Sequence, residues 1–222
     1  MQKNLDRILT YLDDLFPQAH CELNYETPYQ LLVAVILSAQ CTDKRVNQVT
    51  EQLFKIAPTP QKMLNLGEEK LKECIKSCGF YNNKAKSILK ATEELIEKYN
   101  GEVPNDITKL TKLAGVGRKT ANVVVGEIYN TPAIAVDTHV LRVSKRLNLT
   151  RQNSTPEKCE NDLKKIIKND RQVKFHHQMI WFGRYHCKAL KPNCENCALK
   201  DICNLQKNKI KTKNKSVKIN KK

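Results

Sequence analysis

The fold is decided by two neighbouring stretches of sequence: residues 106–122, which read DITKLTKLAGVGRKTAN, and residues 135–139, which read AVDTH. Asp106 can cap a helix, and apolar residues follow it at helical spacing. The segment Gly115-Val116-Gly117 then interrupts the pattern with two residues that tolerate positive φ, and a second amphipathic helix follows. These residues therefore predict two short helices joined by a tight Gly-Val-Gly hairpin.

The hairpin offers backbone groups to an anion. The N–H groups of Gly115, Val116, Gly117 and Arg118 would lie beside the N-terminus of the second helix, where they can hold a phosphate oxygen. A glycine pair between helices is also a common way to end a helix. The phosphate-binding interpretation is favoured by the next residue in the sequence, Lys119.

Lys119 falls in the first turn of the second predicted helix. The positive end of the helix dipole disfavours an ammonium group there, and an amine that loses its proton easily is a nucleophile. Asp137 begins a third predicted helix, Thr138–Leu147, from which it could face Lys119 across a cleft. The alternatives are a solvated surface lysine and an aspartate that only caps a helix. His139 is a candidate to support this site or a structural histidine.

The charge of the chain indicates a polyanionic partner. The 222 residues carry a net charge of +16, and the isoelectric point is about 9.4. Nucleic acid is the first candidate and an anionic membrane surface the second. The apolar run Leu31–Leu37 is too short to cross a bilayer, and Met1 leads into polar residues rather than a signal peptide. We therefore expect a protein of the cytoplasm, or nucleoid, with no membrane partner.

Helical periodicity predicts an all-α fold. Residues 28–40 are almost entirely apolar, which is typical of a helix buried on all sides, and no stretch shows the alternation of a strand. The other helices predicted upstream of the hairpin cover residues 4–16, 43–56, 60–66, 67–77 and 83–99.

Nine cysteines divide into two groups. Five are scattered and, without an export signal, are interpreted as buried or inert thiols: Cys21, Cys41, Cys74, Cys78 and Cys159. The other four have the spacing C-x6-C-x2-C-x5-C and can meet at one point: Cys187, Cys194, Cys197 and Cys203. Four thiolates suit either zinc or an iron–sulfur cluster, and a set of regulatory disulfides is the weaker alternative.

The hairpin LAGVGRKTA (113–121), the segment VDTH (136–139) and the cysteine spacing together resemble the helix-hairpin-helix (Gly/Pro-Asp) superfamily of base-excision DNA glycosylases. Within it, the chain is similar to the endonuclease III family over residues 5–205. The resemblance implies two helical lobes with a DNA-binding cleft between them. A six-helix barrel would cover residues 20–131, and an iron–sulfur domain would combine residues 1–19 with 132–205. Residues 206–222, rich in lysine, would form a basic disordered tail.

The resemblance also implies roles for individual residues. Lys119 would be the nucleophile and Asp137 its electrostatic partner, the four clustered cysteines would hold a [4Fe–4S] cluster, and the substrate would be double-stranded DNA with a damaged base or an abasic site, bound by a monomer. The residues implied to contact this DNA beyond the hairpin and His139 are Gln40, Phe80, Arg184, Lys188 and Lys191. The chain departs from the family pattern at Ala114, where Pro is common, and at Phe80, where Leu is usual.

Three functions remain open at this stage. The first is a bifunctional glycosylase and abasic-site lyase for oxidised pyrimidines. The second is a monofunctional adenine glycosylase, although members of that group lack a lysine at the position of Lys119. The third is a DNA-binding module without enzymatic activity that uses the hairpin as a phosphate clamp.

Overall fold

In the computed structural model, which describes residues 2–206, the chain forms two compact units. The first, called here the inner unit, is Cys21–Thr131; the second, the terminal unit, joins the residues up to His20 to those from Pro132 onward. Residues 2–206 contain helices and no strand, which confirms the all-α prediction. The predicted basic tail lies, apart from Gln206, outside the described residues.

The inner unit is built around a helix that is apolar on every side. This helix, α2 (Pro28–Ser38), buries each residue from Tyr29 to Leu37, as its sequence predicts. Thr27 caps it by accepting the Gln30 N–H at 3.2 Å. The remaining helices of the unit are α3 (Asp43–Ile56), α4 (Pro60–Leu66), α5 (Glu68–Ile75), α6 (Tyr81–Tyr99), α7 (Ile107–Leu110) and α8 (Arg118–Tyr129). Helices α3, α6 and α8 pack directly against α2.

The terminal unit joins the two ends of the described chain in one core. Its helices are α1 (Gln2–Leu15), α9 (Thr138–Arg146), α10 (Pro156–Ile166) and α11 (Gln172–Trp181), followed by a π-helical turn, Phe182–His186. Residues of α1 such as Ile8 and Leu12 are fully buried against Phe175 and Met179 of α11 and against Phe182. The N-terminal helix is therefore part of the core that supports the cysteine segment.

Polar contacts fix the C-terminal end of α1 to α11. The buried Gln178 amide donates to the carbonyl oxygens of Leu12 and Phe16 at 3.2 and 3.1 Å, and Arg171 donates to Asp13 at 3.0 Å. Burial alone would raise the pKa of Asp13, but the hydrogen bonds from Arg171, Lys174 and Gln178 outweigh it and hold that pKa well below its usual value. The carboxylate is thus kept ionised where it ties the two helices together.

The helix ends differ from their predicted positions where the backbone turns left-handed. Helices α3 and α4 have the predicted bounds. Helix α2 ends at Ser38 rather than 40, because Gln40 has φ +53, and α5 begins after Gly67, whose φ is +76. Helix α6 begins at Tyr81, two residues earlier than predicted, directly after Phe80 at φ +58. Positive φ ends a right-handed helix, and it places Gln40 and Phe80 in unusual loops.

Candidate functional site

The hairpin between α7 and α8 is held by short-range hydrogen bonds. The Asp106 carboxylate accepts the Lys109 N–H at 2.9 Å and caps α7. The N–H of Val116 donates to the Leu113 carbonyl oxygen at 3.1 Å. The N–H of Ala114 donates to Oε2 of Glu94, on α6, at 3.0 Å. A proline at position 114 would lack this N–H, so Ala114 gains a tether to α6 where the family commonly has a stiffer residue.

The two glycines of the hairpin serve different purposes. Gly115 has φ +74, and a Cβ atom there would lie 2.6 Å from Cβ of Ser87, so both the backbone angle and the close approach of α6 require glycine. Gly117 has φ −85, an angle open to any residue, and a Cβ atom there would meet nothing within 4 Å. Positive φ therefore belongs to the first glycine alone, whereas the second leaves open space beside the helix N-terminus.

Helix α8 starts without a side-chain cap. Gly117 occupies the N-cap position and has no side chain to accept the first-turn N–H groups. Those groups have no acceptor within the helix. Lys119, the second residue of α8, is exposed beside them. The hairpin thus places uncapped backbone donors and one exposed amine on the same turn, an arrangement suited to a phosphate and to an electrophile next to it.

Asp137 lies in the terminal unit, at the N-cap of α9. Its Oδ1 atom accepts the Val140 N–H at 2.8 Å, and the residue is half-buried. Asp137 therefore caps α9, which was one of the alternatives considered for this residue, and the hydrogen bond fixes the orientation of its carboxylate. Lys119 belongs to the inner unit and Asp137 to the terminal unit, so their predicted pairing stays a prediction.

His139, the second residue of α9, is packed against the π-helical turn. A Cβ atom on Gly183 would lie 2.8 Å from Cβ of His139, so glycine is needed at that crossing. The Nδ1 atom of His139 is 3.3 Å from Nη2 of Arg142, which donates to the Gly183 carbonyl oxygen at 2.8 Å. Burial and the charge of Arg146 lower the pKa of Arg142. His139 therefore helps to position the turn that leads into the cysteine segment.

Gln40 and Phe80 come together in the inner unit. Both residues have left-handed backbone angles and exposed side chains, and Phe80 is 63% exposed. A Cβ atom on Gly79 would lie 3.7 Å from the Gln40 carbonyl oxygen, so the two loops are in contact. Left-handed angles at residues other than glycine are uncommon, and such backbone strain is found mostly at functional sites.

The four clustered cysteines line one small pocket in the terminal unit. Leu147 and Phe182 contribute to its wall. Burial raises the pKa of Cys187 and of Cys197, and for Cys197 the other three clustered cysteines raise it further. Buried thiols that disfavour each other's charge become ligands when a metal cation binds, because the cation displaces their protons to solvent and stabilises the thiolates. The donor set and the shared pocket therefore fit a four-thiolate metal centre.

Two arginines of α9, which the sequence analysis missed, hold the start of the cysteine segment. Nη1 of Arg146 lies 3.2 Å from Sγ of Cys187 and donates to the carbonyl oxygens of Cys187 and Lys188 at 3.1 and 2.8 Å. Arg142 adds a contact of 3.3 Å to the Cys187 carbonyl oxygen. The signal for them was their spacing: two arginines four residues apart lie on one face of a helix.

The basic residues predicted to contact DNA lie in the same segment. Arg184 is half-buried in the π-helical turn, whereas Lys188 and Lys191 are exposed. Lys191 has φ +49, and its neighbour Leu190 is 85% exposed. The segment between the first two cysteines therefore presents two amines and an apolar side chain on a tight turn.

Two features are absent from the described residues. Within residues 2–206, no helix is long and apolar enough to cross a membrane. The same residues contain no group of three or more His, Cys, Asp or Glu side chains already arranged to hold a metal ion.

Comparison with known sequences places the chain among DNA repair proteins. The pattern of the HhH-GPD superfamily of base excision DNA repair proteins matches residues 33–169. The chain is 50% identical to endonuclease III of Bacillus subtilis over 202 residues, which cover 90% of this chain and 92% of that protein. It is 46% identical to endonuclease III of Escherichia coli K12 over 196 residues, covering 88% and 92%.

Comparison with solved structures agrees. A trapped covalent intermediate of an endonuclease III with DNA superimposes with a TM-score of 0.91 at 48% sequence identity, covering 95% of this chain and 99% of that chain. A thermostable thymine-DNA glycosylase shares the fold alone, with a TM-score of 0.84 at 19% identity, covering 93% and 98%.

Proposed function

Because the chain belongs to the endonuclease III family of HhH-GPD base excision DNA repair proteins, which are DNA glycosylases and abasic-site lyases, we propose that it removes oxidised pyrimidines from duplex DNA and then cleaves the abasic strand through a lysine Schiff base. The observation that carries the proposal is the exposed Lys119 in the first turn of α8, directly after an uncapped helix N-terminus.

The hairpin binds the DNA backbone. The open space beside Gly117 lets a phosphate approach the first-turn N–H groups of α8, and the helix dipole favours an anion there. Arg118, the first residue of α8, adds positive charge at the same end. A phosphate held in this way places the adjoining sugar near the second residue of the helix, which is Lys119.

Lys119 is the nucleophile. Its neutral amine attacks C1′ of the damaged nucleotide, and the bond from C1′ to the base breaks, with the electron pair leaving on the base. The sugar ring opens to give a Schiff base between Nζ and C1′. Loss of a proton from C2′ then expels the 3′-phosphate, which is β-elimination. An amine is required because a hydroxyl or carboxylate forms no imine.

Asp137 stabilises the positive charge that develops on the sugar. The Val140 N–H holds Oδ1 in place at 2.8 Å, so the carboxylate is oriented before the substrate arrives. Preorganised charge of this kind needs little rearrangement during the reaction. The cap is therefore compatible with an electrostatic role.

Gln40 and Phe80 support base flipping. An enzyme that acts on C1′ must take the damaged base out of the stack, which leaves a gap in the duplex. The adjacent left-handed loops present Gln40 and the 63% exposed ring of Phe80 on one surface of the inner unit. We assign Gln40 to fill the gap and Phe80 to wedge beside the opposite base, where its ring is broader than the leucine usual in the family.

The clustered cysteines hold a [4Fe–4S] cluster, with Cys187, Cys194, Cys197 and Cys203 as ligands. When bound, the cluster supplies a structural crosslink, since four protein ligands leave no position for a substrate. Arg146 and Arg142 fix the first ligand from α9. The ordered segment then presents Lys188 and Lys191 to DNA phosphates, with Arg184 at its base. We place the monomeric enzyme in the cytoplasm, at the nucleoid.

The test is a duplex of about 30 base pairs that carries one thymine glycol and a label on the damaged strand. We expect strand cleavage with the product ends of β-elimination, and no cleavage of the undamaged duplex. Release of the base without strand cleavage would indicate a monofunctional glycosylase. Binding with neither reaction would leave only a DNA-binding module, and either result would contradict the proposal.

A further inference from the structure

Two cysteines outside the proposed catalytic groups lie side by side at the loops of Gln40 and Phe80. Cys41 directly follows Gln40, and Cys78 is two residues before Phe80. Both are free thiols; Cys78 is 1% exposed, and Cys41 is half-buried. Cys41 is one of the groups that raise the pKa of Cys78, so the two thiols are neighbours.

The backbone around both cysteines shows that they are close in space. A Cβ atom on Gly79 would lie 3.7 Å from the Gln40 carbonyl oxygen, which shows that the two loops themselves are adjacent. The Cys41 N–H donates to the Ser38 carbonyl oxygen at 3.1 Å, and the Cys78 N–H donates to the Ile75 carbonyl oxygen at 2.8 Å. Each cysteine is therefore held just beyond the end of a helix, in one of two adjacent loops.

We propose that Cys41 and Cys78 are an oxidation site, which a peroxide converts to a reversible disulfide that ties the Gln40 loop to the Phe80 loop. The chemical part of this proposal is independent of the DNA chemistry above. Its consequence for DNA binding rests on the proposed function, because it assumes that these two loops enter the duplex.

The surroundings select Cys41 as the thiol that reacts first. Burial, together with the neighbouring Cys41, raises the pKa of Cys78 to about 11, so Cys78 is protonated at neutral pH. Cys41 is the more exposed of the two. A peroxide in solution can therefore reach Cys41 before it reaches the buried Cys78.

The reaction with hydrogen peroxide balances without another reactant. The Cys41 thiolate attacks one peroxide oxygen, the O–O bond breaks, and the leaving hydroxide takes a proton to become water. The resulting sulfenic acid is attacked by the Cys78 sulfur, which breaks the S–O bond and releases a second water. Two thiols are oxidised by two electrons in total, and one peroxide is reduced to two waters. A dithiol reductant reverses the change by thiol–disulfide exchange.

A disulfide between Cys41 and Cys78 would restrict Gln40 and Phe80, the two residues proposed to enter the DNA duplex. Gln40 is adjacent to one sulfur-bearing residue, and Phe80 is two residues from the other. Both have left-handed backbone angles in these loops, and a covalent bond between the loops would fix the shape that they present to DNA. We expect oxidation to weaken binding to a duplex with an abasic-site analogue by about threefold or more, with full recovery after reduction.

The experiment uses the full-length protein, reduced and then treated with a small excess of hydrogen peroxide, blocked with iodoacetamide and digested with trypsin. The expected product is peptide 77–84 linked to peptide 8–44, with fragment ions that place the bond at Cys41 rather than Cys21. Cys41→Ser should abolish the link, and Cys74→Ser, a change at a half-buried cysteine on α5, should preserve it. Thermal unfolding of both variants verifies that they are folded.

Two results would overturn the inference. The first is treated protein in which Cys41 stays alkylatable or stops at a sulfinic acid while Cys78 remains a thiol. The second is a disulfide that forms yet leaves the affinity for the abasic-site analogue unchanged, which would remove the link to DNA probing. Since the disulfide is mapped without DNA, and cleavage is measured on the reduced protein, failure here is distinguishable from failure of the proposed enzymatic activity.

Discussion

The hairpin of the inner unit and the cysteine segment of the terminal unit are both proposed to contact DNA, but they are held in place differently. The hairpin is fixed by its own bonds and a single tether: an Asp106 cap, a left-handed Gly115 and a hydrogen bond from Ala114 to Glu94. The cysteine segment, residues 187–203, contains no helix. Its start is held by side chains from α9, chiefly Arg146.

The difference teaches where order comes from in each region. In the hairpin, each residue's preference agrees with the turn that it adopts, and contacts with α6 add to this local order. In the cysteine segment, four thiols surround a pocket and the segment itself contains no helix, so we expect its order to depend on a metal centre that displaces the thiol protons and binds the thiolates. The hairpin should therefore survive loss of the metal, and the segment should not.

The largest expected effect is on catalysis in the hairpin. Lys119→Ala should lower strand cleavage by at least about a thousandfold, because loss of a covalent nucleophile removes the reaction path, while DNA affinity changes little. Cleavage of an abasic duplex, together with a binding titration, measures both. The matched control is Lys112→Ala, an exposed lysine that precedes the Gly-Val-Gly turn. Cleavage by Lys119→Ala at the rate of the control would eliminate Lys119 as nucleophile.

The next effect separates the two regions by their need for metal. Cys197→Ala should lose the bound iron and the brown colour that comes with it. It should also lower the melting temperature by about 10 °C, because a structural metal centre contributes several kcal/mol of folding free energy. Affinity for DNA should fall as Lys188 and Lys191 lose their positions. Cys74→Ala is the control. If the parent protein is colourless and contains zinc, the four thiolates hold a zinc ion instead of an iron–sulfur cluster.

A stability comparison within the hairpin tests the claim that its order is local. Gly115→Ala should destabilise the protein by about 2–3 kcal/mol, because the residue has φ +74 and its Cβ atom would lie 2.6 Å from Ser87 Cβ. Gly117→Ala has neither problem and should change stability by less than about 0.5 kcal/mol. Urea unfolding measures both. Equal losses would show that the hairpin geometry described here is wrong.

Gly117→Ala should nevertheless weaken DNA binding, since its methyl group would occupy the space beside the uncapped N-terminus of α8. Unchanged stability with reduced affinity is the expected combination for this variant, and unchanged affinity would reject the phosphate site.

The smallest expected effect concerns a single charge in the cysteine segment. Lys191→Ala should weaken binding by about three- to tenfold at every sequence and reduce the slope of log affinity against log salt by about 0.9, the contribution of one phosphate contact. Lys55→Ala, which removes an exposed charge paired with Glu51 on α3, is the control of equal charge. An identical salt slope for the two variants would contradict a phosphate contact by Lys191.

Local patterns in the sequence predicted most of the fold. The all-apolar run gave the buried α2, and the hairpin and the start of α9 were found from Gly115, Gly117 and Asp137. The missing information was long-range. Nothing in the sequence of α1 predicts that the Gln178 amide will donate to the Leu12 carbonyl oxygen. Helical periodicity also does not show that Phe80 adopts a left-handed backbone angle just before α6.

The candidate site was predictable to a similar extent. The residues that carry chemistry were identified because amines and thiols in unusual surroundings are recognisable by type, as with Lys119 and the clustered cysteines. The residues that position them were missed, because Arg142 and Arg146 look like ordinary basic residues of an amphipathic helix. Two of the five scattered thiols, interpreted as inert, prove to be neighbours: Cys41 and Cys78 are 37 positions apart in sequence, yet the loops that carry them are adjacent.

The central claim, that one amine bonds to the sugar, is tested most directly by borohydride trapping. The protein is incubated with a duplex that carries one abasic site, the imine is reduced, and the crosslinked peptide is sequenced by mass spectrometry. We expect a covalent adduct on Lys119. The adduct should be absent from Lys119→Ala and present in Lys112→Ala. An adduct on another lysine, or strand cleavage with no trappable adduct, would contradict it.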